Sequence, residues 1–287
     1  MSPTPPQISL RVAEPQDQPL LSRFVHSPAF VHRHLDWRDA LDWLGRQPFW
    51  ILEKNLEIEA ALAVPAEPDE VAWVRLFAVS PHASASRAWG ILFERALSQI
   101  QSDPRRPVIA SLALQEWYGN LISGAGFNHH QDIIVLTYED SVPASPQPLS
   151  GFEIRAMQPE DLTEVTRVDN ASFEPIWRMS SADLQLAFER STHKSVAILD
   201  GQICGYQMSS LSGFSAHLAR LAILPVFQHR GLGWRLLHSV LDHIINRTGT
   251  WSVTLNTQDN NTSSLALYRR AGFHLTGEHF PVYVYTY

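Results

Sequence analysis

The stretch Gln228-His229-Arg230-Gly231-Leu232-Gly233-Trp234 decides how the second half of this 287-residue chain is read. Before it runs the apolar segment Leu221-Ala222-Ile223-Leu224-Pro225. After it, Leu236, Leu237, Val240, Leu241, Ile244 and Ile245 fall on one stripe of a helix. The order is strand, glycine loop, amphipathic helix. At the start of such a helix the backbone N–H groups point outward with the positive end of the dipole behind them, which suits a pyrophosphate. Gly231 and Gly233 carry no Cβ, so the chain can bend sharply and phosphate oxygens can approach the amides. Arg230 adds charge at the rim. Two glycines beside a helix also form a plain tight turn, and the loop alone leaves both readings open. No Gly-Lys-Ser/Thr follows, as a Walker loop requires, and the third glycine of a dinucleotide fingerprint is missing.

Working outward, residues 152–156 predict a short strand and 159–190 contain helical stretches. Residues 195–199 and 203–209 predict two strands around an Asp200-Gly201 hairpin turn. Residues 216–223 form the strand that enters the loop. Behind the long helix come a strand at 251–255, a helix around 263–271 and the alternating strand Val282-Tyr283-Val284-Tyr285. The class is mixed α/β.

The same landmarks occur earlier in the chain. Arg11, Pro15 and Asp17 answer Arg155, Pro159 and Asp161, each 144 residues apart, and Pro81 after Leu76-Phe77-Ala78-Val79-Ser80 answers Pro225 at the same offset. Gly126-Phe127 answers Gly272-Phe273 at an offset of 146. Between the copies, residues 139–151 hold three prolines in polar surroundings, a linker composition. A near-constant offset predicts two copies of one α/β unit: a domain over 1–140, a Pro-rich linker over 141–150 and a second domain over 151–287.

Composition narrows the function classes. The net charge is −7, from 22 basic and 29 acidic residues, with no run of Lys or Arg to track a phosphate backbone. A nucleic-acid partner is not expected. Nowhere do about 18 apolar residues run together, and the first ten residues hold three prolines, so the reading is a cytoplasmic protein without a membrane partner. Cys204, between Ile203 and Gly205, reads as a small buried hydrophobe. Neither His26, His32 and His34 nor His129 and His130 complete a zinc ligand set, so no metal is expected.

Gln228-His229-Arg230-Gly231-Leu232-Gly233 resembles the Gln/Arg-x-x-Gly-x-Gly/Ala motif of the GNAT superfamily of N-acetyltransferases. Asn261-x-x-Ser264-x-x-Leu267-Tyr268-x-x-x-Gly272-Phe273 is similar to that family's second motif, Asn-x-x-Ala-x-x-Leu-Tyr-x-x-x-Gly-Phe. The resemblance covers 152–287 and, through the repeat, much of the first half. It implies two tandem GNAT-like domains, each with a mixed, mostly antiparallel central sheet flanked by helices. It also implies acetyl-CoA as cosubstrate and an amine of a small molecule or a peptide as acceptor. Carried over by position, Leu221, Ala222 and Ile223 hold the pantetheine arm as an added strand would. The backbone of Gln228, His229, Arg230, Gly231, Leu232, Gly233 and Trp234 holds the pyrophosphate. Asn256, Asn261 and Tyr268 complete the cofactor side. Tyr268 matches the tyrosine that protonates the departing thiolate. Asn261 also reads as a helix N-cap, given the Thr262-Ser263-Ser264 that follows.

Many relatives carry a glutamate on the strand before the loop, where this chain has His217-Leu218-Ala219-Arg220. His217, or Glu174 in Ser172-Phe173-Glu174-Pro175-Ile176-Trp177, is the candidate base, and each also reads as a solvated surface group. In the first copy the offset of 144 maps Gln228, Gly231 and Gly233 onto Ser84, Arg87 and Trp89, and the offset of 146 maps Tyr268 onto Ile122. The first copy is therefore expected to have lost cofactor binding. Trp37, Trp43, Trp50 and Trp73 are candidates to line an acceptor surface, or else packing residues. The tandem layout with an intact second copy also resembles mycothiol synthase, which acetylates a cysteinyl sugar amine. A non-catalytic acetyl-CoA sensor is a further reading, and a tRNA-dependent aminoacyl transferase is disfavoured by the acidic balance and the intact glycines.

Overall fold

The computed structural model describes residues 7–26 and 30–287, so Pro3, Pro5 and Pro6 lie outside the described residues. The chain forms two compact units, Met1–His130 with Pro281–Tyr287, and Gln131–Phe280.

The first unit contains β1 (Ile8–Val12), α1 (Gln18–His26), β2 (Phe30–Arg33), β3 (Phe49–Lys54), β4 (Glu57–Ala63), β5 (Val71–Trp73), β6 (Leu76–Val79), α2 (Ala85–Gln101), β7 (Val108–Leu112), α3 (Glu116–Gly124) and the start of β8 (Asn128–Tyr138). Strands run in the order β1-β3-β4-β6-β2, all antiparallel, while β5 pairs in parallel with β7. Trp43 and Trp73 are buried in the core, so packing rather than an exposed surface is their role.

The second unit contains the rest of β8, then β9 (Phe152–Ala156), α4 (Leu162–Ser172), α5 (Ser181–Arg190), β10 (His193–Leu199), β11 (Gln202–Ser212), β12 (Ser215–Ile223), α6 (Leu232–Leu241), β13 (Ser252–Gln258), α7 (Thr262–Ala271) and most of β14 (His274–Tyr285). Its strand order β8-β13-β12-β11-β10-β9 is antiparallel except for the parallel β12–β13 pair. Asp200 and Gly201 turn β10 into β11 with φ of 50° and 81°, the positive pair a tight hairpin needs. The predicted stripe of α6 is buried from Leu236 to Ile244, the last residues carried by a π-helical turn over Asp242–Arg247.

The repeat holds at atomic detail. Arg155 grips Asp161 with two hydrogen bonds of 2.7 and 2.8 Å, and Arg11 grips Asp17 at the same two distances. In each copy the same aspartate also accepts the backbone N–H three residues before it, from Gln158 or Glu14, at 2.8 Å.

The unit boundaries differ from the 1–140 and 151–287 expected from the linker. Ile133 to Tyr138 pair with Gln258 to Val253 and lie in the second unit, whereas Val282 to Tyr285 pair with Leu112 to Ile109 and lie in the first. Each copy's final strand completes the other copy's sheet. Both strands satisfy the same backbone and side-chain alternation in either sheet, so local pattern does not choose between them. The 141–150 linker packs along α6, where His238 Nε2 lies 2.9 Å from Pro143 O and Arg235 bonds Gln147 O. Among the described residues, no helix is long and apolar enough to cross a membrane.

Candidate active site

β12 opens the site. It pairs with β13 only from Ser215↔Ser252 to Leu218↔Leu255, while β13 continues to Gln258 along β8. On its other side β12 stays paired with β11 to Ile223, after a register shift that leaves Ala219 as the extra residue. A bulge bends and twists a strand, and here it turns β12 away from β13. Leu224 N–H bonds Cys204 O at 2.8 Å, so by alternation Ala222 faces β11 while Leu221 and Ile223 turn their backbone toward the opened edge. The Ile223 carbonyl there accepts from Gln228 Nε2 at 2.9 Å and Ser172 Oγ at 3.2 Å.

The glycine loop closes one end of this opening. Gly231 caps α6 in the left-handed region, φ 76°, which a glycine adopts at little cost. The first helical bond runs from Arg235 N–H to Gly231 O at 3.2 Å, so the N–H groups of Leu232, Gly233 and Trp234 precede it without a helical acceptor. A Cβ on Gly233 would stand 3.4 Å from Leu267 and 3.8 Å from Ile223, ordinary contact distances that show the loop, β12 and α7 meeting at this residue. The side chains of Leu232 and Trp234 pack inward and Arg230 lies over Phe227, leaving the backbone as the available surface.

Tyr268 belongs to the buried cluster that holds Leu218 and Leu255, the last paired residues where β12 and β13 part. Burial raises its hydroxyl to about 12, and that hydroxyl makes no hydrogen bond among the described residues. It is a neutral donor at any physiological pH. His217 neighbours Leu218 and turns to the opposite face, its Nδ1 3.0 Å from Thr254 Oγ1, and burial lowers its pKa, favouring the neutral base. Asn256 is the first β13 residue past that last pair, exposed and paired with Val135. Asn261 Oδ1 accepts Ser264 N–H at 3.2 Å, which is the N-cap its sequence also suggested. Glu174 is exposed on the α4–α5 loop, where its carbonyl accepts Trp177 N–H at 2.8 Å. Cys204 is buried, its thiol raised to about 11 by burial, as a packing residue would be.

The sequence reading passed over Asp169 and Tyr206, which join Arg220 in a buried polar cluster behind β12. The available signal was an aspartate beside Val165 and Val168 on the apolar face of α4.

In the first unit the equivalent opening is filled by the chain itself. Leu76–Val79 corresponds to Arg220–Ile223, and β2 pairs along it from Phe30↔Val79 to Arg33↔Leu76. Trp89, at the Gly233 position, is buried against Phe77, Phe93 and Tyr118.

Residues 162–273 match the family model described as the Acetyltransferase (GNAT) family. The fold is similar to that of a GCN5-related N-acetyltransferase from Sphaerobacter thermophilus, at 17% identity and TM-score 0.62, covering 96% of this chain and 95% of that one. It is equally similar to a tandem GNAT protein from the clavulanic acid biosynthesis pathway, at 13% identity and TM-score 0.62, covering 97% and 98%. The mixed α/β architecture is therefore that of GNAT structures. In sequence, 74 residues are 39% identical to a mycothiol acetyltransferase of Clavibacter sepedonicus, covering 26% of this chain and 24% of that relative. The matched stretch thus spans about a quarter of its length.

Proposed function

We propose that this protein is an acetyl-CoA-dependent N-acetyltransferase with its site in the second unit, acting on a primary amine of a small molecule or a peptide N-terminus. The observation that carries the reading is the opened edge of β12 beside the amides of the α6 N-terminus, with Tyr268 in the buried cluster of Leu218 and Leu255 where the β12–β13 pairing ends. Leu221 and Ile223 offer backbone pairing to a pantetheine arm, with Ala222 between them paired to β11, and Gln228 to Trp234 offer amides to a pyrophosphate. Asn256 extends the far wall.

In the transfer, the amine nitrogen bonds to the thioester carbonyl carbon and the carbon–sulfur bond breaks. His217, neutral through burial, takes the ammonium proton directly or through water, and Glu174 is the alternative acceptor on the loop. Tyr268 gives its proton to the leaving sulfur, and the second proton, shed by the acylated nitrogen as it becomes the amide, restores the Tyr268 hydroxyl through water. A sensor would have no use for this donor. The acidic balance and the absence of a basic run argue for a cytoplasmic enzyme free of nucleic acid and membrane partners.

The first unit is proposed not to bind acetyl-CoA, because β2 and Trp89 occupy its equivalent space. A second, narrower reading is acetylation of a cysteinyl sugar amine, which the partial likeness to a mycothiol acetyltransferase favours.

Calorimetric titration with acetyl-CoA, followed by mass spectrometry of an amine panel that includes a cysteinyl sugar amine, tests these readings. One site per chain and an acetylated amine are expected. Two sites overturn the silent first unit, and no binding overturns the whole assignment.

A further inference from the structure

The cluster formed by Asp169, Tyr206 and Arg220 is charged, buried and specific to one of the two copies. Asp169 and Tyr206 are fully buried, and the Arg220 side chain is 14% exposed. Arg220 reaches Asp169 Oδ1 through Nε at 2.8 Å and Nη2 at 2.7 Å, and its Nε lies 3.1 Å from Tyr206 Oη. The Tyr206 hydroxyl in turn donates to Asp169.

The outer contacts of the cluster all fall on the α4–α5 loop. Arg220 Nη2 donates to Trp177 O at 2.6 Å, its guanidinium lies 3.7 Å from the Phe173 ring centre, and Asp169 Oδ2 accepts Met179 N–H at 3.0 Å. One residue from the bulge that opens β12, Arg220 thus grips the loop at Phe173 and Trp177, while its partner Asp169 holds the far end at Met179.

The first copy is an internal control. By offset and strand register Asp169, Tyr206 and Arg220 correspond to Val25, Ala61 and Leu76, and these three lie together in one apolar cluster. The same topology is therefore built there without any charge. Buried ion pairs are commonly replaceable by apolar side chains with no loss of fold, so packing does not explain why this copy keeps one.

Building on the acetyltransferase reading, we infer that Arg220 is a positioning residue that, with Asp169 and Tyr206, fixes loop 173–180 against the opened strand to form the acceptor wall. The role is local order of that loop, exerted through Trp177 and Met179 rather than through acetyl-CoA.

The test is amide hydrogen exchange of the full chain, without ligand, comparing wild type with Asp169→Val/Tyr206→Ala/Arg220→Leu, which copies the first unit. Exchange in 173–180 is expected to quicken about tenfold, with the rest of the second unit and the melting temperature little changed. Arg220→Lys keeps a cation against Asp169 but loses the second arm to Trp177, and it should fall between the two. Unchanged loop exchange in either variant overturns the inference. Faster exchange throughout the unit with Arg220→Lys, together with a fall in melting temperature, also overturns it by making the cluster a general brace. If the triple variant does not fold, the lysine variant alone decides. Acetyl-CoA titration of the wild type separates the two levels, since absence of binding refutes the acetyltransferase reading and leaves the exchange result standing.

Discussion

Leu218 pairs with Leu255 as the last step of the parallel β12–β13 ladder, and Tyr268, His217 and Asn256 are tied to that pair along the chain or through its cluster. Tyr268 packs on one face of it, His217 precedes it and turns to the other, and Asn256 follows it on the diverging strand. A parallel pair that ends in mid-sheet leaves unpaired backbone on both strands, which is costly when it is buried and left unmet. That cost is what a cosubstrate arm lying in the opening would remove.

Gly231→Glu places a carboxylate where the pyrophosphate is proposed to sit, at a backbone with φ 76° that disfavours any side chain by about 1 kcal/mol. Acetyl-CoA affinity should fall at least about 100-fold, some 2.7 kcal/mol. Arg87→Glu, the exposed counterpart in the first copy, should leave it unchanged. Calorimetry on both variants checks the pair, and equal losses would refute the assignment of the site to the second unit.

Tyr268→Phe removes one hydroxyl and no buried ring contact. Turnover should fall about 10²-fold with acetyl-CoA affinity held within a factor of two. Because burial raises the hydroxyl to about 12, the wild-type rate should show no loss from this group below pH 10. Steady-state kinetics from pH 7 to 10 reads both expectations.

Stability should decline in mild acid. Burial lowers His193 to about 4 and His32 to about 3, with Nε2 of His32 3.2 Å from Val74 O and its ring stacked on Tyr118. The unfolded chain protonates both near 6.5 and so binds more protons below that pH. Their contribution is complete above 6.5 and is lost as pH falls toward 4 and then 3. The slope approaches about 1.4 kcal/mol per pH unit per histidine, and less where solvent screens the charge. Urea unfolding at pH 7 and 4.5 measures it, and His193→Gln should flatten the difference.

Deleting Pro281–Tyr287 should weaken the first unit, although the segment ends the chain. Tyr285 packs edge-on against Phe93 and tilted against Phe127, with ring centres 5.2 and 5.3 Å apart, and Pro281 O accepts Ala113 N–H at 2.9 Å. Limited proteolysis with mapped cleavage should show new cuts in 85–124. Cuts confined to 131–280 would contradict the exchange of strands.

Trp89→Ala should cost about 3–5 kcal/mol as a core cavity and leave acetyl-CoA stoichiometry at one, since β2 still lies along β6. Unfolding and titration of the same variant check the two halves of this expectation.

Local pattern alone determined much of this protein. The offset of 144 fixed the repeat because the Arg–Asp clamps, the turn prolines and the strand alternation act within a few residues of one another. The glycine loop and the Tyr268 motif were equally readable, since each sits at the start of, or within, one helix. Three things were decided only in three dimensions. The final strands at 133–138 and 282–285 exchange sheets because pairing between distant segments is set by the whole ladder, not by alternation. β2 occupies the first copy's opening because a tetrapeptide strand finds its partner by an edge left free in space. Asp169, Tyr206 and Arg220, spread over 51 residues, become one cluster only when α4, β11 and β12 pack, so no local signal in the chain announces them together.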